Sequence, residues 1–271
     1  DRAIKTVVKA SAFITFSVLF FIIGYILIKG IPHLNPSLFQ FKYTTENVSL
    51  FPAMITTMML ILLTLVIATP IGVFTGFYLV EYAKKGNKFV EIIRIATETL
   101  SGIPSIVYGL FGMLFFVIRL NFKYSLLAGA LTAAIMVLPL IIRTTEEALL
   151  SVDNSLREAS FALGAGKLRT IFRVVLSVAM PGILSGVILS IGRIVGETAA
   201  LIFTLGTATK IPENLFSSGR TLALHMYVLS TEGLHVKESY ATGVVLLIVV
   251  LMVNGLSTLL SNKLTKGNQN E

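Results

Sequence analysis

The residues best placed to do chemistry are Arg193 and Glu197, four apart in an otherwise apolar run. An Arg inside a membrane segment costs about 2.5–3.5 kcal/mol on insertion scales, and such charges face a protein interior or a water-filled path. Two readings stay open. A spacing of four puts both side chains on one helical face, so the pair can be an internal ion pair that holds a bundle together. Alternatively, the guanidinium offers a fixed fork of donors to an oxyanion, and Glu197 holds it when no anion is present. Arg193 lies eleven residues past Gly182, about 16 Å along a helix, which predicts a position near the bilayer midplane.

Other polar residues extend the possible path. Thr97, Thr99, Ser101 and Ser105 could line it, and Pro104 suits the first turn of a helix whose N–H groups point at an anion. Ordinary helix capping explains the same residues. Arg143, with Thr144 and Thr145, reads as an interfacial anchor or a cytoplasmic exit. Arg220 lies in a polar stretch, 210–240, expected outside; it either guides anions inward or is a solvated loop charge. Gly72 with Gly76, Gly182 with Gly186 and Gly192 with Gly196 have the spacing of helix-packing faces.

Several chemistries are excluded. There is no Cys, so no disulfide, thiolate metal site or Cys nucleophile. His33, His225 and His235 lack metal-ligand spacing, and no catalytic or metal site is expected. The Gly164–Lys167 tetrapeptide "GAGK" continues into Leu168, which is not a phosphate-binding P-loop. No cofactor is expected in this chain; if ATP and Mg are used, another chain binds them. A net charge of +8 without a basic patch interleaved with aromatics argues against nucleic acid.

These residues are positioned by apolar helices. The chain is 55% hydrophobic and 13% charged, against about 25% charged in soluble domains. Its mean hydropathy of +0.85 points to a polytopic, all-α membrane bundle. Six runs approach the roughly 20 residues that cross a bilayer: about 8–28, 52–80, 103–119, 124–142, 182–205 and 241–260. An amphipathic stretch over 86–100 is expected to lie along the membrane surface. The basic stretch before the first run resembles a signal peptide, but without an A-x-A-like site an uncleaved span is the expectation. About twice as many Lys and Arg fall on the side of the N-terminus, the 81–102 and 143–181 loops and the tail, among them Lys84, Lys85, Arg157, Lys263 and Lys266. That bias predicts both termini in the cytoplasm.

The most informative loop runs from Ser155 to Val175, "SLREASFALGAGKLRTIFRVV". Ser155 and Glu158 have capping-box spacing, and Gly164 suits a left-handed helix stop. A second, basic helix is expected from Lys167. "EASFALG" resembles the E-A-A-x-x-x-G signature of permease subunits of ATP-binding-cassette importers, with Ser160 for the second Ala and Ser177 where that family places Pro. Four more stretches are similar to the phosphate-specific, PstA-type permeases: "TPIGVFTGFYLVEYAKKG" (69–86), "SGIPSIVYGLFG" (101–112), "LPLIIRTTEEALL" (138–150) and "SGVILSIGRIVGETAALIFT" (185–204).

The resemblance implies a type I importer permease fold in a single domain over 1–271. Its family core would run about 69–260, with a coupling loop about 153–177 that presents Glu158, Ala159, Leu163 and Gly164 to an ATPase groove. It implies as partners a second permease, a dimer of the ATPase and an extracytoplasmic phosphate-binding protein, in the inner membrane of a bacterium or archaeon. "GRIVGET" coincides with the family's translocation-associated motif, so the resemblance favours Arg193 as an anion contact. Rival readings are a permease for sulfate or molybdate, a stand-alone anion channel or secondary transporter, and an intramembrane enzyme. The second leaves the coupling loop without a purpose. The third lacks any catalytic constellation.

Overall fold

The computed structural model describes residues 2–84 and 86–267, with side chains over 3–84 and 86–259. Lys85 lies outside them. So do the side chains of Lys263 and Lys266, which contribute with it to the charge bias. The helices, in chain order, are α1 (Arg2–Gly30), α2 (Phe51–Phe77), α3 (Lys88–Ser101), α4 (Ser105–Gly112), α5 (Leu126–Leu150), α6 (Asn154–Ala162), α7 (Lys167–Thr170), α8 (Leu176–Val195), α9 (Ala199–Ile202), α10 (Leu222–Glu232) and α11 (Val236–Gly267). Wide π turns extend three of them, at Tyr78–Tyr82, Met113–Arg119 and Ile171–Val175. The described residues contain no strand, as a lipid-exposed backbone requires.

Five helices are long and apolar enough to cross a membrane, and a sixth span exists if α3 and the helix Ser105–Arg119 count as one. Those two meet at 105°, so a sharp corner separates the amphipathic helix from the short apolar one that follows it. Pro104 makes the corner. It is the N-cap of α4 and lies just outside the helix, one place earlier than the first-turn position expected. Its ring also biases Ile103 away from helical geometry.

The largest departure concerns the fifth span. Its helix runs from Lys167 to Val195 without interruption at Pro181, and it stops before the expected end at 205. Gly196 caps it, and α9 starts afresh at Ala199. Arg193 therefore sits in the last turn of its helix rather than in mid-helix, where the macrodipole presents partial negative charge to a cation. The polar 210–240 segment also departs: Arg220, Thr221 and His225 are buried, not solvated.

α5 is the centre of the bundle, with 67% of its apolar window buried against none for α1. Ala128, Gly129, Ala130, Ala133 and Ala134 give α5 a surface of small residues, so neighbouring backbones approach closely. A Cβ on Gly72 or Gly76 of α2 would come within 2.6 Å of Ile141 or Thr145 of α5. On α8, Gly182 meets Ala148, and Gly186 is pressed against Thr144. Two of the three glycine pairs are thus packing faces. The third is not: a Cβ on Gly192 would meet nothing within 4 Å, and Gly196 serves as the helix cap. α1 packs along α11 and turns Phe13, Phe16, Phe20 and Phe21 outward, as a lipid-facing helix does.

Gly76→Val is expected to destabilise the protein by about 1–3 kcal/mol, the usual cost of overpacking a filled interface. Gly24→Val, where a Cβ would meet nothing within 4 Å, is expected to be neutral. Thermal unfolding of the detergent-solubilised variants checks both.

Candidate functional site

Two helices bring matching polar faces together at the end of the bundle that carries α6. On α3, Arg94, Thr97, Glu98 and Ser101 recur at the spacing of one helical face. On α5, Arg143, Glu146 and Glu147 do the same. Between these faces lies a cavity of about 420 Å³, which Arg193 of α8 also lines.

Three arginines thus line one cavity, and their partners differ. Arg94 Nη2 lies 2.6 Å from Glu146 Oε1. Arg143 Nε donates to Glu147 Oε1 at 2.9 Å. Arg193 is half-buried and is in no ion pair among the described residues. It is the cavity's free cation. Its donors are those an oxyanion would accept, in a space with reduced screening.

The expected partner of Arg193 has turned elsewhere. Glu197 is buried, and its Oε1 accepts the Ala200 N–H at 3.0 Å, which caps α9. The i,i+4 pairing fails because the helix carrying Arg193 ends at Val195, so Glu197 no longer shares its face. Gly196 and Thr198 instead line a second, largely apolar cavity of about 540 Å³, together with Tyr227 and Ser230 of α10. The helix break therefore separates the two cavities.

Of the remaining candidates, Thr97 and Ser101 join Arg193 in the first cavity, while Ser105, Glu197 and Arg220 do not line it. The Thr97 hydroxyl donates to the carbonyls of Ile93 and Arg94, and Ser101 donates to that of Glu98 at 2.7 Å. Either must rotate before its proton is available to a passing anion. Arg94, Glu98, Glu146 and Glu147 were not among the site residues expected from sequence. The signal was present as matching i, i+3, i+4 charge spacing on α3 and α5, but nothing along the chain shows that these faces meet.

Arg220 forms a separate, buried cluster. It is 5% exposed, its guanidinium centre lies 5.4 Å from the Tyr43 ring centroid, and its Nε has no hydrogen-bond partner. Burial lowers its pKa, opposed by Tyr43 and Glu232. Beside it, burial and the Arg220 charge push His225 down to about 3, so the ring is neutral in the fold.

The loop after α5 projects from the same end. Asp153, not Ser155, is the N-cap of α6: its Oδ1 accepts the Ser155 N–H at 2.8 Å. The capping box is not formed because Asp153 takes the cap position, so Ser155 falls inside the helix. Gly164 takes the expected left-handed conformation, at φ +81°. Glu158, Ala159 and Gly164 are exposed, and Leu163 is 88% exposed.

Residues 68–266 match the family described as "Binding-protein-dependent transport system inner membrane component". The chain is 36% identical to "Probable ABC transporter permease protein YqgI" of Bacillus subtilis (strain 168), over 89% of this chain and 90% of that protein. It is 38% identical to "Phosphate transport system permease protein PstA 1" of Mycobacterium tuberculosis (strain CDC 1551 / Oshkosh) over 192 residues, 70% of this chain. That match spans 62% of the length of the relative. In fold, the chain is similar to a solved bacterial alginate ABC transporter in complex with alginate pentasaccharide-bound periplasmic protein. The TM-score there is 0.69 at 16% identity, over 96% of this chain and 95% of that one. The helical bundle is thus the expected importer permease fold.

The His225 shift has a signed consequence. The ring is neutral in the fold down to about pH 3 but takes a proton near 6.5 when unfolded, so its contribution to stability is complete above pH 6.5 and is lost as pH falls toward 3. The unfolding midpoint is expected to drop between about pH 7.5 and about pH 5, and His225→Leu is expected to flatten that slope. An unchanged slope in the variant would assign the pH dependence to other groups.

Proposed function

Because the chain belongs to the binding-protein-dependent transport system inner membrane components, we propose that it is the permease subunit of an ATP-driven phosphate importer. The free guanidinium of Arg193 is the observation that carries this reading. Of the cavity's three arginines, two are neutralised by Glu146 and Glu147 and only Arg193 is available. A planar fork of N–H donors suits phosphate oxygens. Phosphate, rather than another oxyanion, is supported by the likeness to phosphate transport permeases.

In operation the chain binds and passes the anion and catalyses no reaction. Phosphate arriving from an external binding protein reaches Arg193 from the side of the Gly196–Thr198 break. It leaves into the cavity between α3 and α5, where Arg94 and Arg143 are held by carboxylates. Those pairs, with the Glu98 carboxylate lining the same cavity, leave the exit without excess positive charge, so the anion is not trapped there. ATP and Mg²⁺ act on a partner ATPase dimer seated against α6, with Glu158, Ala159, Leu163 and Gly164 at the contact. A second permease completes the path, and both termini face the cytoplasm. Sulfate and molybdate are the competing cargoes.

Arg193→Ala in the assembled complex is expected to reduce labelled phosphate uptake into vesicles by at least about a hundredfold, with Arg193→Lys retaining part of it. Co-purification of the partner chains should be unaffected. Normal uptake by Arg193→Ala would sink the assigned role, and uptake competed by sulfate or molybdate before phosphate would reassign the cargo.

A further inference from the structure

Arg157 of α6 lies one residue before Glu158, yet its side chain points into the bundle. Its Nε and Nη2 donate to Glu81 Oε1 at 3.1 and 2.8 Å. Nη2 also donates to the Leu149 carbonyl at 2.9 Å, and Nη1 donates to the Val152 carbonyl at 2.7 Å and to Asn154 Oδ1 at 3.3 Å. Every nitrogen of the guanidinium is engaged. The two side chains are 15% and 10% exposed, so this is not a surface pair of negligible strength. Removing one partner leaves the other charge uncompensated.

The partners belong to three elements. Glu81 sits in the π turn that ends the α2 span, Leu149 in the last turn of α5, and Asn154 at the start of α6. A second tie reaches the same π turn from α7: Lys167 Nζ lies 4.7 Å over the Tyr82 ring. The hydroxyls of Ser160 and Thr170 meet at 2.9 Å. Beneath them Phe77, Leu149, Val152, Ile171 and Val175 form one apolar cluster. Farther along, Gly72 and Gly76 lock α2 onto α5, the helix that carries Arg143 and Glu146 into the cavity. The chain route from α6 to α8 is different in kind. It passes the left-handed Gly164, then Gly166, and then the π turn Ile171–Val175.

We propose that the Arg157–Glu81 fork is the strut of the permease, through which a displacement of α6 reaches the cavity by way of α2 and α5 rather than by α8 alone. The inference rests on the reading of α6 as the ATPase-docking helix. Arg157 and Glu81 are positioning residues in this account. Neither touches the anion.

The test uses the complete complex, with both permeases, the ATPase and the binding protein, reconstituted in vesicles with inorganic phosphate inside or outside. Glu81→Gln removes the charge and keeps the shape. It is expected to leave the chains co-purifying and ATP hydrolysis responsive to loaded binding protein, while phosphate moved per ATP falls about tenfold, a coupling loss of ordinary size. A merely structural role would lower the amount of assembled complex and leave that ratio intact; an unchanged ratio overturns the proposal. If Glu81→Gln does not assemble, Glu81→Asp keeps the charge but withdraws it from the guanidinium, and the same ratio, lowered or unchanged, supports or overturns the proposal in the same way. Glu158→Lys tests the underlying reading separately. Continued co-purification of the ATPase with that variant would refute docking at α6, whatever the ratio measured for Glu81.

Discussion

Close backbone approach to α5 is the constraint on which the rest of the structure depends. In lipid, apolar surface gains little by meeting other apolar surface, so helices associate through van der Waals fit and small residues. α5 supplies that fit with its alanines, and α2 and α8 answer with glycines at Gly72, Gly76, Gly182 and Gly186. Everything with a charge is placed relative to this three-helix contact. Arg143, Glu146 and Glu147 alternate on α5 with the contact residues Thr144, Thr145 and Ala148, and Arg193 lies in the last turn of α8.

That scaffold sorts the arginines by partner. Arg157 is saturated by Glu81 and backbone carbonyls, Arg94 and Arg143 by carboxylates at the cavity's edge, and Arg220 lies beneath Tyr43. Arg193 alone of the cavity's arginines lacks a carboxylate, because the helix ends two residues after it and Glu197 turns to cap α9. A helix break of three residues thus does two things. It frees a cation, and it divides one cavity from the other. A continuous helix through 205 would have paired Arg193 with Glu197 and joined the two faces.

Three π turns stand where helices meet loops: after α2, after α4 and before α8. Each shifts the helical register locally, a feature frequent at functional sites. The first carries Glu81 and the third leads from the docking loop into α8. The end of the bundle that carries α6 therefore combines a stiff element, the Arg157 fork, with registers that can change. This is the arrangement a transmission element needs.

Much of this was readable along the chain. The number and type of spans, the amphipathic stretch before Pro104, the left-handed stop at Gly164 and the packing role of Gly72, Gly76, Gly182 and Gly186 all follow from local periodicity and backbone chemistry. So did the singular position of Arg193 in an apolar run, since the cost of a charge in lipid is a property of composition. What lay beyond the sequence involves pairings of elements distant along the chain, or competition between neighbours for one group. The Asp153 cap and the turn of Glu197 toward Ala200 are of the second kind. The meeting of α3 and α5, the fork across 76 residues from Arg157 to Glu81, and the burial of Arg220 and His225 are of the first. Periodicity says which face of a helix is apolar or charged, but only close packing decides which other face it meets, because many pairings satisfy the same pattern and one satisfies the contact distances.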